Sequence, residues 1–134
     1  MKNCIFILLC MLTICSSCKD NNEIKFRLRN NSNLPVYIYY SRFYPDTSFQ
    51  YIPNPKLNPE IFRVEANTIQ GYHYVSPSKS FFDQNLDTLM VFVFDAYTLE
   101  TISWDTVKAK NLILKRYYLS EEDLDQMKWI VNYP

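Results

Sequence analysis

Residues 24–29 (IKFRLR) alternate apolar and basic without a fault, which predicts a strand with Ile24, Phe26 and Leu28 facing inward. Residues 30–35 are turn chemistry, because Asn tolerates left-handed backbone and Pro fixes φ. Residues 36–43 (VYIYYSRF) predict a second strand, paired to the first as a hairpin, with apolar positions on both faces. Val36, Ile38 and Tyr40 form one of these faces, and Tyr37 and Tyr39 the other. Residues 61–66 and 72–75 predict two short strands, linked as a hairpin through 67–71. Residues 89–94 (LMVFVF) are apolar at every position, the pattern of a strand covered on both faces, and so belong at the centre of a sheet. Residues 112–119 and 129–133 supply the last two strands.

Two helix starts interrupt this series. Ser103 is a good N-cap with acidic Asp105 in the first turn, so a short helix is expected to run to about Lys110. Ser120 precedes Glu121, Glu122 and Asp123, and Leu124 and Met127 would face inward from the second helix. The expected class is all-β: an antiparallel sandwich of about seven strands with two short helices. The alternative is an α+β domain with one sheet covered by the two helices.

Residues 45–59 break the pattern, and Pro45, Pro53, Pro55 and Pro59 all fall there. A surface loop of that length invites a functional reading. Phe49, Tyr51, Ile52 and Leu57 make it apolar for a loop. Packing back over the edge of the domain is the preferred account, and an aromatic ligand platform is the sharper one.

The N-terminus has a different character. Lys2 precedes a run at residues 4–14 that is apolar except for Thr13, followed by Ser16 and Ser17 and then by Lys19 and Asp20. That order is a secretory leader. Crossing a bilayer takes about 20 apolar residues, and the run is too short. Residues 14–18 (ICSSC) resemble a lipobox, which implies cleavage before Cys18 and lipidation of its thiol. Cys15 is the rival position, but it would put Ile14 where a small residue is expected at the cut. A plain secretory cut after Ser17 would instead leave an exposed thiol in an oxidising compartment. The organisation is therefore read as leader 1–17, lipidated tether 18–23 and one domain at 24–134. Several acyl chains at ~0.8 kcal/mol per buried CH₂ anchor stably where a single chain is marginal. Residues 19–23 (KDNNE) also resemble the acidic export signal of Bacteroidetes surface lipoproteins, although a plain linker accounts for them equally well.

Composition narrows the chemistry. The chain holds 14 basic and 14 acidic residues, which argues against a nucleic-acid partner. Gly71 is the one glycine, so no Gly-rich phosphate cradle exists, and no cofactor motif is present. His73 is the one histidine, which closes multi-His metal sites and leaves only an all-carboxylate Ca²⁺ site open. All four cysteines lie at or before position 18, so the domain has neither an internal disulfide nor a catalytic thiol. Aromatic residues make up 16% of the chain, including 11 Tyr and 9 Phe, and these suit strands.

Candidate chemistry mostly reduces to packing. His73 has no partner motif. Glu121, Glu122, Asp123 and Asp125 sit at one helix start, where capping explains them better than glycoside hydrolysis, which needs two carboxyls ~5–9.5 Å apart across a cleft. Lys115 and Arg116 beside Tyr117 and Tyr118 fit a cation–π pair or a salt bridge. Trp104 and Trp129 each open an element and are expected to anchor it, with the indole N–H finding a carbonyl.

Residues 104–107, 113–120, 123–124 and 129–134, with 35–39 after the Asn/Ser turn, are similar to blocks of a group of small uncharacterised Bacteroidetes outer-membrane lipoproteins. Tyr118 stands where that group suggests Asp. The resemblance implies a compartment and carries no activity. The function expected is a non-enzymatic binding or accessory module, lipid-anchored at the outer membrane and periplasmic or surface-exposed. Its partner would be a glycan or an envelope protein, met through Tyr37, Tyr39, Phe49 and Tyr51. A structural subunit of an envelope assembly is the second reading, and a hydrolase built on scattered carboxylates is the third.

Overall fold

The computed structural model describes residues 24–41, 43–45, 52–75 and 88–134. Residues 1–23, read as leader and tether, therefore lie outside the described residues, as do Phe49 and Tyr51 of the proline-rich loop.

Among the described residues, seven strands form two sheets. The first sheet has the order β4-β1-β7, from β1 (Ile24–Asn30), β4 (Thr68–Val75) and β7 (Ile130–Tyr133). The second has the order β3-β2-β5-β6, from β2 (Val36–Ser41), β3 (Arg63–Val64), β5 (Leu89–Asp95) and β6 (Lys115–Leu119). Every pairing is antiparallel except β1 with β7, which is parallel and departs from the expected all-antiparallel arrangement. Among the described residues there are four short α-helices where two were expected: α1 (Pro59–Phe62), α2 (Ala96–Thr101), α3 (Trp104–Ala109) and α4 (Glu121–Gln126). The fold is thus strand-rich with a mixed α+β character.

Two apolar layers organise it. Phe26 and Leu28 of β1 and Val131 of β7 meet Val36, Ile38, Leu89, Val91 and Val93 of the second sheet in one core. On the other face of the second sheet, Tyr37, Met90, Phe92 and Phe94 pack with Ala96 and Leu99 of α2 and Val107 of α3. Strand β5 is internal in its sheet and feeds both cores with alternate residues, which is why every one of its apolar positions is buried.

The same logic explains the first correction. β1 and β2 do not form a hairpin, because they belong to different sheets. β1 is apolar on one face and lies in the sheet that borders one core. β2 is apolar on both faces and lies in the sheet that borders two. Asn30 secures the crossing between them. It is completely buried, its amide donates to the carbonyls of Leu34, Val64 and Glu65, and its oxygen accepts from Ser32.

The second correction concerns residues 61–75. Pro59 occupies a first-turn helical position, where its fixed φ is favourable, so residues 59–62 are helical and only Arg63–Val64 pairs as a strand. Asn67 adopts a left-handed φ of 55° and turns the chain from the second sheet into the first. The strands on either side are consequently not a hairpin, and residues 68–71 belong to β4.

The caps of α3 and α4 stand where expected. Ser103 Oγ accepts the Thr106 N–H, and α3 ends with Lys110 as its C-cap. α2 arises from Asp95, read from the sequence only as a strand end, whose carboxylate accepts the Thr98 N–H at 2.6 Å. α4 starts with a reciprocal capping box: Ser120 Oγ accepts the Asp123 N–H, and Asp123 Oδ2 accepts from the Ser120 N–H and hydroxyl. Those bonds hold the Asp123 carboxyl below the usual carboxylate range. A lowered folded-state pKa stabilises above the unfolded value near ~3.9 and loses that contribution as pH falls through the folded one. In acid titrations followed by circular dichroism, Asp123→Asn is expected to remove this component, giving a flatter helical signal below about pH 4 than the parent chain shows.

Trp129 is buried as expected, but its indole N–H donates to the Asp125 carboxylate at 2.8 Å rather than to a carbonyl. The carboxylate one helical turn earlier is within direct reach, because Lys128 and Trp129 both take left-handed φ as the chain leaves α4.

Candidate functional site

Exposed aromatic rings gather where β2 and β6 end. Cross-strand register places Ser41, Met90 and Tyr118 in one row across β2, β5 and β6. Ser41 Oγ accepts the Phe43 N–H, which turns the chain immediately beyond the strand. Tyr44 thereby meets Tyr118 edge-on, with ring centroids 6.1 Å apart. Phe43, Tyr44 and Tyr118 are 59%, 49% and 52% exposed, which is high for three large rings at one end of a sheet.

The next row on this face is Tyr39, Phe92 and Arg116. The Arg116 guanidinium lies 5.9 Å from the Phe92 ring centre and donates to Asn111. Lys115, on the same strand, lies 5.8 Å from the Tyr117 ring centre, which is the expected cation–π pair, whereas Arg116 finds Phe92 instead of a neighbouring tyrosine. Phe43, Tyr44 and Tyr118 offer flat, partly apolar contact that carries two tyrosine hydroxyls. Such a surface suits stacking and hydrogen bonding to a partner.

The residues expected to form the contact surface have other roles where they are described. Tyr37 is 2% exposed and belongs to the core beneath α2, with its hydroxyl donating to Glu100 at 3.2 Å. Its ring therefore packs within the fold and offers no face to a partner. Burial, then the Glu100 charge and hydrogen bond, raise the Tyr37 pKa, while Arg63 opposes them. Tyr39 is half-buried against Phe62, and burial, with Tyr40 next, raises its pKa. Cys18, Phe49 and Tyr51 lie outside the described residues. In the described part of the proline-rich loop, Ile52 and Pro55 are buried and Leu57 is exposed, so packing accounts for much of its apolar character.

Reading the sequence missed Phe43, Tyr44 and Tyr118 as a group. The sequence pattern puts Phe43 in a strand and sets Tyr118 only beside Lys115, Arg116 and Tyr117. The available signal was alternation along β6, which sets Tyr118 on the same face as Arg116.

A second polar cluster joins Arg63 to Glu65 and Glu100, with Tyr37 bonded to the same Glu100 oxygen. Two carboxylates converge here, but both face one guanidinium, which ties β3 to α2. The acidic run at α4 is similarly occupied, with Asp123 in the cap and Asp125 on Trp129. Among the described residues no group of three or more His, Cys, Asp or Glu side chains converges to hold a metal ion. Also among the described residues, no helix is long and apolar enough to cross a membrane. Comparison with protein-family models, with curated proteins and with solved structures finds no match to this chain.

Proposed function

We propose that the chain is a lipid-anchored, non-enzymatic binding or accessory protein of the cell envelope, contacting its partner through the surface of Phe43, Tyr44 and Tyr118. The single observation that carries the contact surface is the exposure of these three rings at one place in the fold. In this reading residues 1–17 are removed, Cys18 carries the acyl chains, and residues 18–23 tether an outer-membrane domain that is periplasmic or surface-exposed. The two sheets with their shared core are taken as a β-sandwich, as the strand spacing suggested. The resemblance to small Bacteroidetes lipoproteins supports the compartment. Phe49 and Tyr51, which follow Tyr44 closely in the chain, are proposed as further partner contacts.

Mass spectrometry of the native protein tests the anchor. A diacylglyceryl-modified Cys18 at the N-terminus is expected, and a chain that still begins at Met1 overturns the reading. A photo-reactive residue at position 118 in intact cells tests the surface. A stable protein adduct assigns the domain to an envelope assembly. Reversible binding of purified envelope oligosaccharides without an adduct assigns it to a glycan. Absence of both the adduct and the oligosaccharide binding overturns the proposed surface. Tyr44→Ala with Tyr118→Ala is expected to weaken binding roughly thirtyfold, since aromatic contacts of this kind contribute about 1 kcal/mol each. The melting temperature should barely move, because exposed substitutions usually stay within about 0.5 kcal/mol. Tyr37→Ala should do the reverse and lower the melting temperature through lost packing.

A further inference from the structure

We infer that the open face of the β4-β1-β7 sheet lies against the phosphate-bearing headgroups of the membrane to which the chain is tethered. This rests on the anchored reading above and adds an orientation to it.

Charge is distributed unevenly between the two sheets. The residues of β1, β4 and β7 include Lys25, Arg27, Arg29 and His73, and none is acidic. Along β1, Phe26, Leu28 and Asn30 are buried, while alternation sends Arg27 and Arg29 to the opposite face. Arg29 is exposed, and it lies opposite Ile69 on β4 and Asn132 on β7, both exposed as well. Arg27 pairs in register with Ile130. Among the described residues, neither arginine takes part in an ion pair, whereas Arg63 and Lys108 do. The Nε of Arg27 is shielded from water and has no hydrogen-bond partner. That atom is as closed to a phosphate as to water, but Arg27 as a whole is only partly buried, so its other guanidinium nitrogens are the ones to meet a phosphate oxygen. The helices α2 and α3 pack on the far face of the other sheet and leave this one uncovered by them.

The tether supplies the proximity. β1 is the middle strand of this sheet and begins at Ile24, directly after residues 18–23. Six residues reach at most about 20 Å, so the cations start close to the headgroups. The tether itself holds Lys19, Asp20 and Glu23, so the orienting attraction has to come from the sheet. Each cation near an anionic surface contributes about 1 kcal/mol, so the two arginines favour the face-down orientation roughly thirtyfold.

The native cysteines are at positions 4, 10, 15 and 18, so Ile69→Cys gives the processed, lipidated protein one free thiol on this face. Tyr97→Cys places the control thiol on α2, where the parent residue is 76% exposed. Each protein is reconstituted into phosphatidylcholine vesicles, with or without phosphatidylglycerol, and alkylated with a membrane-impermeant maleimide. Ile69→Cys is expected to react about tenfold more slowly on the anionic vesicles alone, and Tyr97→Cys equally on both. High salt, or Arg27→Gln with Arg29→Gln, should abolish the protection, and melting curves confirm that these variants fold. Equal reactivity of Ile69→Cys on both vesicles overturns the orientation while leaving the anchor intact. Protection independent of lipid charge or of the arginines also overturns it. Failure to float with either vesicle overturns the anchor and the orientation together.

Discussion

Phe94→Ala is expected to destabilise the domain by about 3–5 kcal/mol, the usual cost of emptying a large, fully buried aromatic site. Phe94 is 0% exposed on the central strand β5. Its ring meets Trp104 edge-on at 5.6 Å and stacks at 6.4 Å on Phe92. Trp104 is the first residue of α3, so the void would open where that helix is fastened to the sheet. Short helices depend on such tertiary contacts, because six residues are far below the length at which a helix is stable alone. The midpoint of thermal unfolding should fall by roughly 15 °C, and α3 amides should lose hydrogen-exchange protection before those of β1. Uniform loss across both sheets would show that the helix layer is not a separate weak point.

Asn30→Ala should cost about 2–4 kcal/mol although it removes few heavy atoms. The amide reaches three backbone carbonyls across a chain crossing, at Leu34, Val64 and Glu65, and alanine leaves them without this donor. Asn30→Asp preserves the shape and reverses the donor. At neutral pH a buried carboxylate would face those three carbonyls, so the loss should exceed that of alanine. Burial would raise the introduced group's pKa in the folded state, so the deficit should shrink as pH falls toward the unfolded value near ~3.9. Chemical denaturation of both variants at neutral and acidic pH measures this. Wild-type-like stability of Asn30→Asp at pH 7 would remove the latch from the account.

Much of the domain was legible along the chain because burial leaves a local pattern. The unbroken apolar run of β5 announced a strand between two covered faces, and Ser103 and Ser120 announced helix starts through short-range hydrogen bonds. α2 was less visible. Asp95 served as both strand end and N-cap, and the six residues that follow show too few turns for a clear period. Residues 61 and 62 followed Pro59 into a helix even though their side chains also suit a strand.

The candidate site was hardest to read. Tyr37 and Tyr39 drew attention as aromatics on the second face of β2, but that face is covered by α2, α3 and Ile52. Tyr44 approaches Tyr118 only because β5 pairs with β2 on one side and β6 on the other.

By its order of apolar, polar and capping residues, the chain determined which faces of its strands are buried and where α3 and α4 begin. Tertiary structure alone decided that β1 and β2 part into different sheets, that β7 runs parallel to β1, and which aromatic rings stay exposed. The reason is that alternation records whether a side chain leaves water but carries no label for what it meets. Partners distant in sequence are selected by the packing of the whole domain.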